Sequence, residues 1–134
     1  DHPAVVSPGL IPITDNPVYE CWWYAGNVAY RDAGAIRVAE CHDYSVAVFQ
    51  CTDGPSDDMT AFTHYAYCQL FRAIESCDHI RPVKIWNCLC GIYFENDVRE
   101  RFRQFSAGRA QAFHELNLRD CVTSAHMAPS GPVC

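Results

Sequence analysis

A chain of 134 residues, 49% hydrophobic and 19% charged, fits one globular domain and excludes a disordered protein. A formal charge of −6 argues against a general nucleic-acid or membrane-surface binder, which needs a basic face. Nine of the ten basic residues are Arg, Lys84 being the exception, and no apolar run is long enough to span a bilayer.

Nine cysteines in so short a chain are the strongest single signal. They are dispersed rather than grouped in the pairs of a zinc module, which reads as a disulfide framework formed in an oxidising compartment. Nine is odd, so at most four bridges close within one chain. Cys21, Cys41, Cys51, Cys77, Cys88, Cys90, Cys121 and Cys134 make the candidate bridged set, and Cys68 is the candidate odd thiol. The chain opens on Asp1 with neither Met nor apolar leader, which reads as a mature secreted form. No Asn-x-Ser/Thr triplet occurs, so no N-glycan is expected.

Residues 1–17 carry Pro3, Pro8, Pro12 and Pro17, which forbid a helix and favour an extended arm. Val18–Ala29, "VYECWWYAGNVA", reads as a strand rich in aromatics. Its alternation puts Cys21 and Trp23 on a core face and Trp22 and Tyr24 on the other. "RDAG" at 31–34 is a turn signal, Ala35–Cys41 a second strand, and Tyr44–Cys51 a third. In "TDGPSDD", Ser56 can cap the helix that follows, with Asp57 and Asp58 in its first turn. Residues 58–77 show a helical stripe of Met59, Phe62, Ala66, Leu70, Ala73, Ile74 and Cys77. Tyr67, Cys68 and Phe71 occupy the opposite side, so a second element, with the N-terminal arm as candidate, must cover it. Val83–Phe94 alternates as a central strand. Residues 97–116 form a second helix, started by Asp97 and Glu100 and weakened at Gly108. Leu116–Thr123 reads as a last strand.

The order β-β-β-α-β-α-β predicts an α+β fold: an antiparallel sheet of about four to five strands with two main helices, stapled by disulfides. Residues 1–17 are the arm and 18–134 the single domain.

Four constellations could carry chemistry. His64 and Cys68 stand one helical turn apart, with Cys77, His79, Cys88 and Cys90 near in sequence, and suit zinc by softness. Without paired Cys spacing, structural bridges are the favoured reading, and no metal or cofactor is expected. An odd thiol and six His would permit a nucleophilic cysteine, but no local signature supports one. His114, Glu115 and Arg109 carry the residue types of a nuclease, yet adjacent helical residues point apart, so a solvated face is favoured. Arg99 and Arg103, one turn apart, form either a salt-laced surface or an Arg contact patch for a protein partner. Trp22 and Tyr24 are the aromatic candidates for such a contact.

Small size, dense cysteine, scarce Lys and the alternation of sheet and helices resemble the secreted effectors of plant-pathogenic fungi, in particular the Leptosphaeria avirulence-suppressing effector family. The resemblance covers the domain from about Cys21 to Cys134. It implies a disulfide-stapled α+β protein without enzyme activity, a bridge from Cys21 to Cys134, and recognition by plant resistance proteins. The expectation is a monomeric secreted effector, active in the apoplast or after entry into host cells. It would bind host proteins, an immune receptor among them, and neither nucleic acid nor membrane. The rival readings are a small secreted hydrolase or nuclease, tested at His64 and His114, and an inhibitor-type binding protein.

Overall fold

The computed structural model describes residues 22–51, 58–75, 82–89 and 98–118. Three strands and two helices follow in order: β1 (Ala29–Ala33), β2 (Ile36–Glu40), β3 (Ser45–Phe49), α1 (Met59–Glu75) and α2 (Val98–Glu115). The class is α+β, with an antiparallel sheet in the order β1-β2-β3.

The sheet is a meander, with Ala33 opposite Ile36 and Glu40 opposite Ser45. The β1–β2 connection has two residues, and Gly34 supplies the positive φ (64°) such a hairpin needs at its first position. In β2, Ile36 and Val38 are fully buried and Arg37 between them is exposed, the period-two pattern of a strand with one covered face. That cover is α1. Leu70, Ala73 and Ile74 pack on Ile36 and Val38, with Ala33, Ala47 and Phe49 around them.

The other side of α1 meets α2. Met59, Tyr67, Cys68 and Phe71 form one cluster with Phe105 and Ala112. Phe113 packs edge-to-face on Tyr67 and Phe71, with centroids 5.5 and 5.8 Å away, and the Tyr67 and Phe71 rings are tilted to each other at 6.4 Å. Helix α1 is therefore the middle layer between sheet and α2, which explains why its sequence is apolar nearly all round. The expected cover was the N-terminal arm; within the described residues α2 fills that role, and residues 1–17 lie outside them.

Both helices have local reasons for their ends. Asp58 caps α1: its Oδ1 accepts from the Ala61 N–H at 3.0 Å, the contact an N-cap makes to the third helical residue, and Ser56, the expected cap, lies outside the described residues. At the end of α1, Arg31 of β1 donates to the Ala73 carbonyl, a cation at the negative end of the helix dipole. Helix α2 closes in a Schellman motif. Asn117 takes a positive φ (54°), its N–H donates to His114 O at 3.3 Å, and the Leu118 N–H donates to Phe113 O at 2.9 Å. Leu118 then packs into the helical cluster. Leu116–Thr123, expected as a strand, thus begins as a helix stop; 119–123 lie outside the described residues.

Other expectations need correction. The expected strand from Val18 is irregular over 22–28, and pairing begins at Ala29. Trp23, expected in the core, is 89% exposed. The first three residues of "RDAG" lie in β1, and the turn is Gly34–Ala35. Residues 82–89, expected as a central strand, form no regular element and pair with no strand among the described residues. They keep the predicted alternation: Ile85 and Leu89 pack against the helices, while Trp86 and Cys88 face out. The described sheet has three strands, not four or five.

The staple is corrected as well. Among the described residues no disulfide occurs: Cys68 and Cys88 are free thiols, and Cys41 Sγ donates to the Tyr44 carbonyl at 3.1 Å. Cys51 is exposed, and Cys21, Cys77, Cys90, Cys121 and Cys134 lie outside the described residues. The physical reason is the aromatic core. Two helices and a sheet already bury Phe105, Ile36 and Val38 below 2% exposure, each worth about 1.5–3 kcal/mol.

Candidate functional site

The site lies where α1 and α2 come closest. Gly108 makes the approach possible: a β-carbon there would overlap the Thr60 carbonyl and lie 3.0 Å from the His64 backbone nitrogen. Ala112, one turn on, is fully buried and carries only a methyl group. Glu115 completes the same face of α2. Opposite it, α1 presents His64, Cys68 and Arg72 at successive turns.

The side chains form a chain of contacts. His64 Nε2 lies 2.8 Å from Glu115 Oε2. The carboxylate only accepts, so the ring donates from Nε2. Cys68 Sγ lies 3.6 Å from the same nitrogen. Arg72 Nη2 lies 3.6 Å from the second oxygen, Glu115 Oε1. His64 and Glu115 are partly exposed, whereas Cys68 is 3% exposed. Burial, with the Glu115 carboxylate adding to it, pushes the Cys68 thiol up, and Arg72 opposes only in part. Cys68 is therefore a protonated thiol at neutral pH, not the thiolate a nucleophilic cysteine requires.

A shallow depression of about 520 Å³ opens beside this pair, lined by His64, Ala110, Gln111, His114 and Glu115. Two imidazoles and a carboxylate on one wall are groups of the kind that donate and accept protons in general acid–base chemistry. Imidazole, thiol and carboxylate within 4.8 Å of one another can also hold a transition-metal ion.

The residues singled out as a nuclease set separate. Glu115 turns to His64, His114 lines the depression, and Arg109 lies over the Phe105 ring at 5.5 Å. The contact candidates fall into two groups. Trp22 and Tyr24 meet through Tyr44, with centroids 5.5 and 6.1 Å away, and Trp22 also meets Trp86 edge-on at 5.8 Å. Lys84 sits over Trp86 at 4.2 Å. Arg99 is in the first turn of α2, and Arg103, exposed, lies 3.7 Å from Glu100. The pairing of His64 with Glu115 is the relationship sequence reasoning missed, since 51 residues separate them. The small pair Gly108 and Ala112, followed by Glu115 on the same face, was its available signal.

Residues 20–128, most of the chain, match the family model described as chorismatase FkbO/Hyg5-like, N-terminal. No curated protein matches the chain. The family match overturns the effector resemblance, which rested on size, cysteine usage and element order, features that unrelated secreted and intracellular proteins share. It also overturns the expectation of a virulence protein without catalysis, because the matched family is one of enzymes. No helix among the described residues is long and apolar enough to cross a membrane.

Proposed function

This chain belongs to the chorismatase FkbO/Hyg5-like N-terminal family, and from that membership we infer that it serves an enzyme that processes chorismate. The match over residues 20–128 is the observation that carries this reading.

Chorismate is a cyclohexadiene carboxylate with a carboxyvinyl group in enol-ether linkage. Its hydrolysis adds water at the ether carbon and a proton at the vinyl carbon. The C–O bond then breaks, pyruvate leaves in its keto form, and the ring keeps the oxygen as a hydroxyl. Such a reaction needs proton donors and acceptors beside the enol ether, and cations or N–H groups for the two carboxylates. The depression between the helices supplies groups of both kinds. His64, His114 and Glu115 can exchange protons, and the Gln111 amide can donate. Arg72, on the far oxygen of Glu115, brings positive charge to this region of a chain whose net charge is −6.

The test is to incubate the purified chain with chorismate and follow pyruvate with lactate dehydrogenase, alongside calorimetric titration of chorismate. Saturable binding with pyruvate release, both weakened by Gln111→Ala and Arg72→Ala, is the expected result. A chain that neither binds chorismate nor releases pyruvate overturns the reading.

A further inference from the structure

We propose that His64, Cys68 and Glu115 form a three-ligand site for a zinc-class divalent cation that ties α1 to α2. The inference goes beyond the chorismate reading and does not depend on it.

The ligand types choose the ion. A sulfur, an imidazole nitrogen and one carboxylate oxygen make a borderline-soft set that suits Zn2+ and not Mg2+ or Ca2+, which take oxygen alone. The ligand count is that of an open site, three protein groups with a fourth position left for water or a substrate atom. Two of the three, His64 and Glu115, line the depression, and Cys68 is buried behind them.

Two of the three ligand separations are close to those an ion needs, and all three ligand atoms lie within 4.8 Å of one another. With Zn–S of about 2.3 Å and Zn–N of about 2.0 Å, a tetrahedral centre holds sulfur and nitrogen about 3.5 Å apart. Cys68 Sγ and His64 Nε2 are 3.6 Å apart. Nitrogen and carboxylate oxygen would stand about 3.3 Å apart around the same ion. The pair is now 2.8 Å apart, a hydrogen bond that must open by about half an ångström. Glu115 is exposed enough to make that adjustment.

The surroundings support the ligands. Arg72 holds Glu115 Oε1, which leaves Oε2 directed at His64, as a second shell does around a metal-binding carboxylate. Spacing on the two helices is fixed independently of any ion. His64 and Cys68 share one face of α1, and the Gly108 contact sets how near Glu115 comes. Binding exchanges the proton on Nε2 and the thiol proton for the cation. His114 and Gln111 remain on the wall of the depression to face whatever occupies the fourth position.

The experiment uses the whole chain, stripped with a chelator and titrated with Zn2+ against a chromophoric competitor, with Co2+ as a spectroscopic probe. One tight site is expected. It should give a sulfur-to-cobalt charge-transfer band and a rise in thermal midpoint with added zinc. Mg2+ should do neither. Arg72→Ala should weaken zinc binding about 10–100-fold, the range for losing a group that orients a metal-binding side chain. His64→Ala, Cys68→Ser and Glu115→Gln should weaken it further, and Cys68→Ser should abolish the cobalt band. Cys88→Ser should leave all of these unchanged. Helical circular dichroism shows that each variant is folded, and Glu115→Gln, at an exposed position, guards against misfolding of the buried variant. Equal zinc binding by the wild type and a folded His64→Ala/Glu115→Gln double variant overturns the site, as does no binding by the wild type. The chorismate assay is read on the chelator-stripped chain, where His64 and Glu115 are unligated, so its failure and the failure of the metal site are told apart.

Discussion

Gly108 of α2 sits so near the Thr60 carbonyl of α1 that no side chain fits between the two backbones. An exposed mid-helix glycine costs about 1 kcal/mol relative to alanine, so Gly108→Ala would stabilise an isolated α2. In the folded protein the new methyl meets backbone, which cannot rotate away. Overpacking of this kind costs about 1–3 kcal/mol. The close contact prevails, and Gly108→Ala should lower the urea midpoint with an unchanged m-value. A stabilised variant would show that the helices do not approach this closely.

Tyr67 should make stability fall at high pH. Burial is the main cause that pushes its phenol up, while Arg109 and the hydrogen bond to Asn87 Oδ1 (2.8 Å) pull the other way. In the unfolded chain the phenol ionises near pH 10. Below that pH both states hold the proton and Tyr67 adds no pH dependence. Above it the unfolded state loses the proton first, binds fewer protons than the native state, and gains population. Stability should therefore decline as pH rises from about 10 through the higher native value. Tyr67→Phe should flatten that decline. It should also lower stability at neutral pH by about 0.5–1.5 kcal/mol, the usual worth of one hydrogen bond. Urea titrations at several alkaline pH values read both effects.

Local signals were legible in the sequence, and non-local ones were not. The stripe of α1 and the placing of β2, β3 and α2 follow from signals that a sequence displays directly. Gly108 looked like a helix weakness because its reason is a second helix, invisible from its own neighbours. "LNL" at 116–118 looked like the start of a strand because Asn117 takes the position glycine usually holds in a helix stop. Trp23 was misplaced because a run of aromatics satisfies strand propensity whether or not the segment pairs. His64, Cys68 and Glu115 each drew notice on their own. Their meeting depends on the packing of two helices joined by a long connection, which no spacing rule reaches.

The His64–Glu115 pair should contribute little to stability in the absence of metal. Both side chains are partly exposed, and surface ion pairs are worth about 0–1 kcal/mol. A double-mutant cycle with His64→Ala and Glu115→Ala, run in chelator at neutral pH, should give a coupling below about 1 kcal/mol that shrinks with added salt. A coupling of several kcal/mol, insensitive to salt, would mean that the pair is buried.

Thiol labelling should separate Cys88 from Cys68 and decide whether the described cysteines are cross-linked. Cys88 is exposed on the segment 82–89, and Cys68 is shielded between the helices. Iodoacetamide, applied to the native protein without reductant and followed by peptide mapping, should modify Cys88 and leave Cys68 untouched until denaturant is added. Desolvation pushes the Cys88 thiol above its ordinary range, so little thiolate is present at neutral pH. Its labelling rate should still be climbing at pH values above about 8.5, where an ordinary cysteine levels off. A Cys68 that reacts as fast as Cys88 would contradict its burial between α1 and α2. A Cys88 peptide recovered in disulfide linkage would contradict the free thiol at that position.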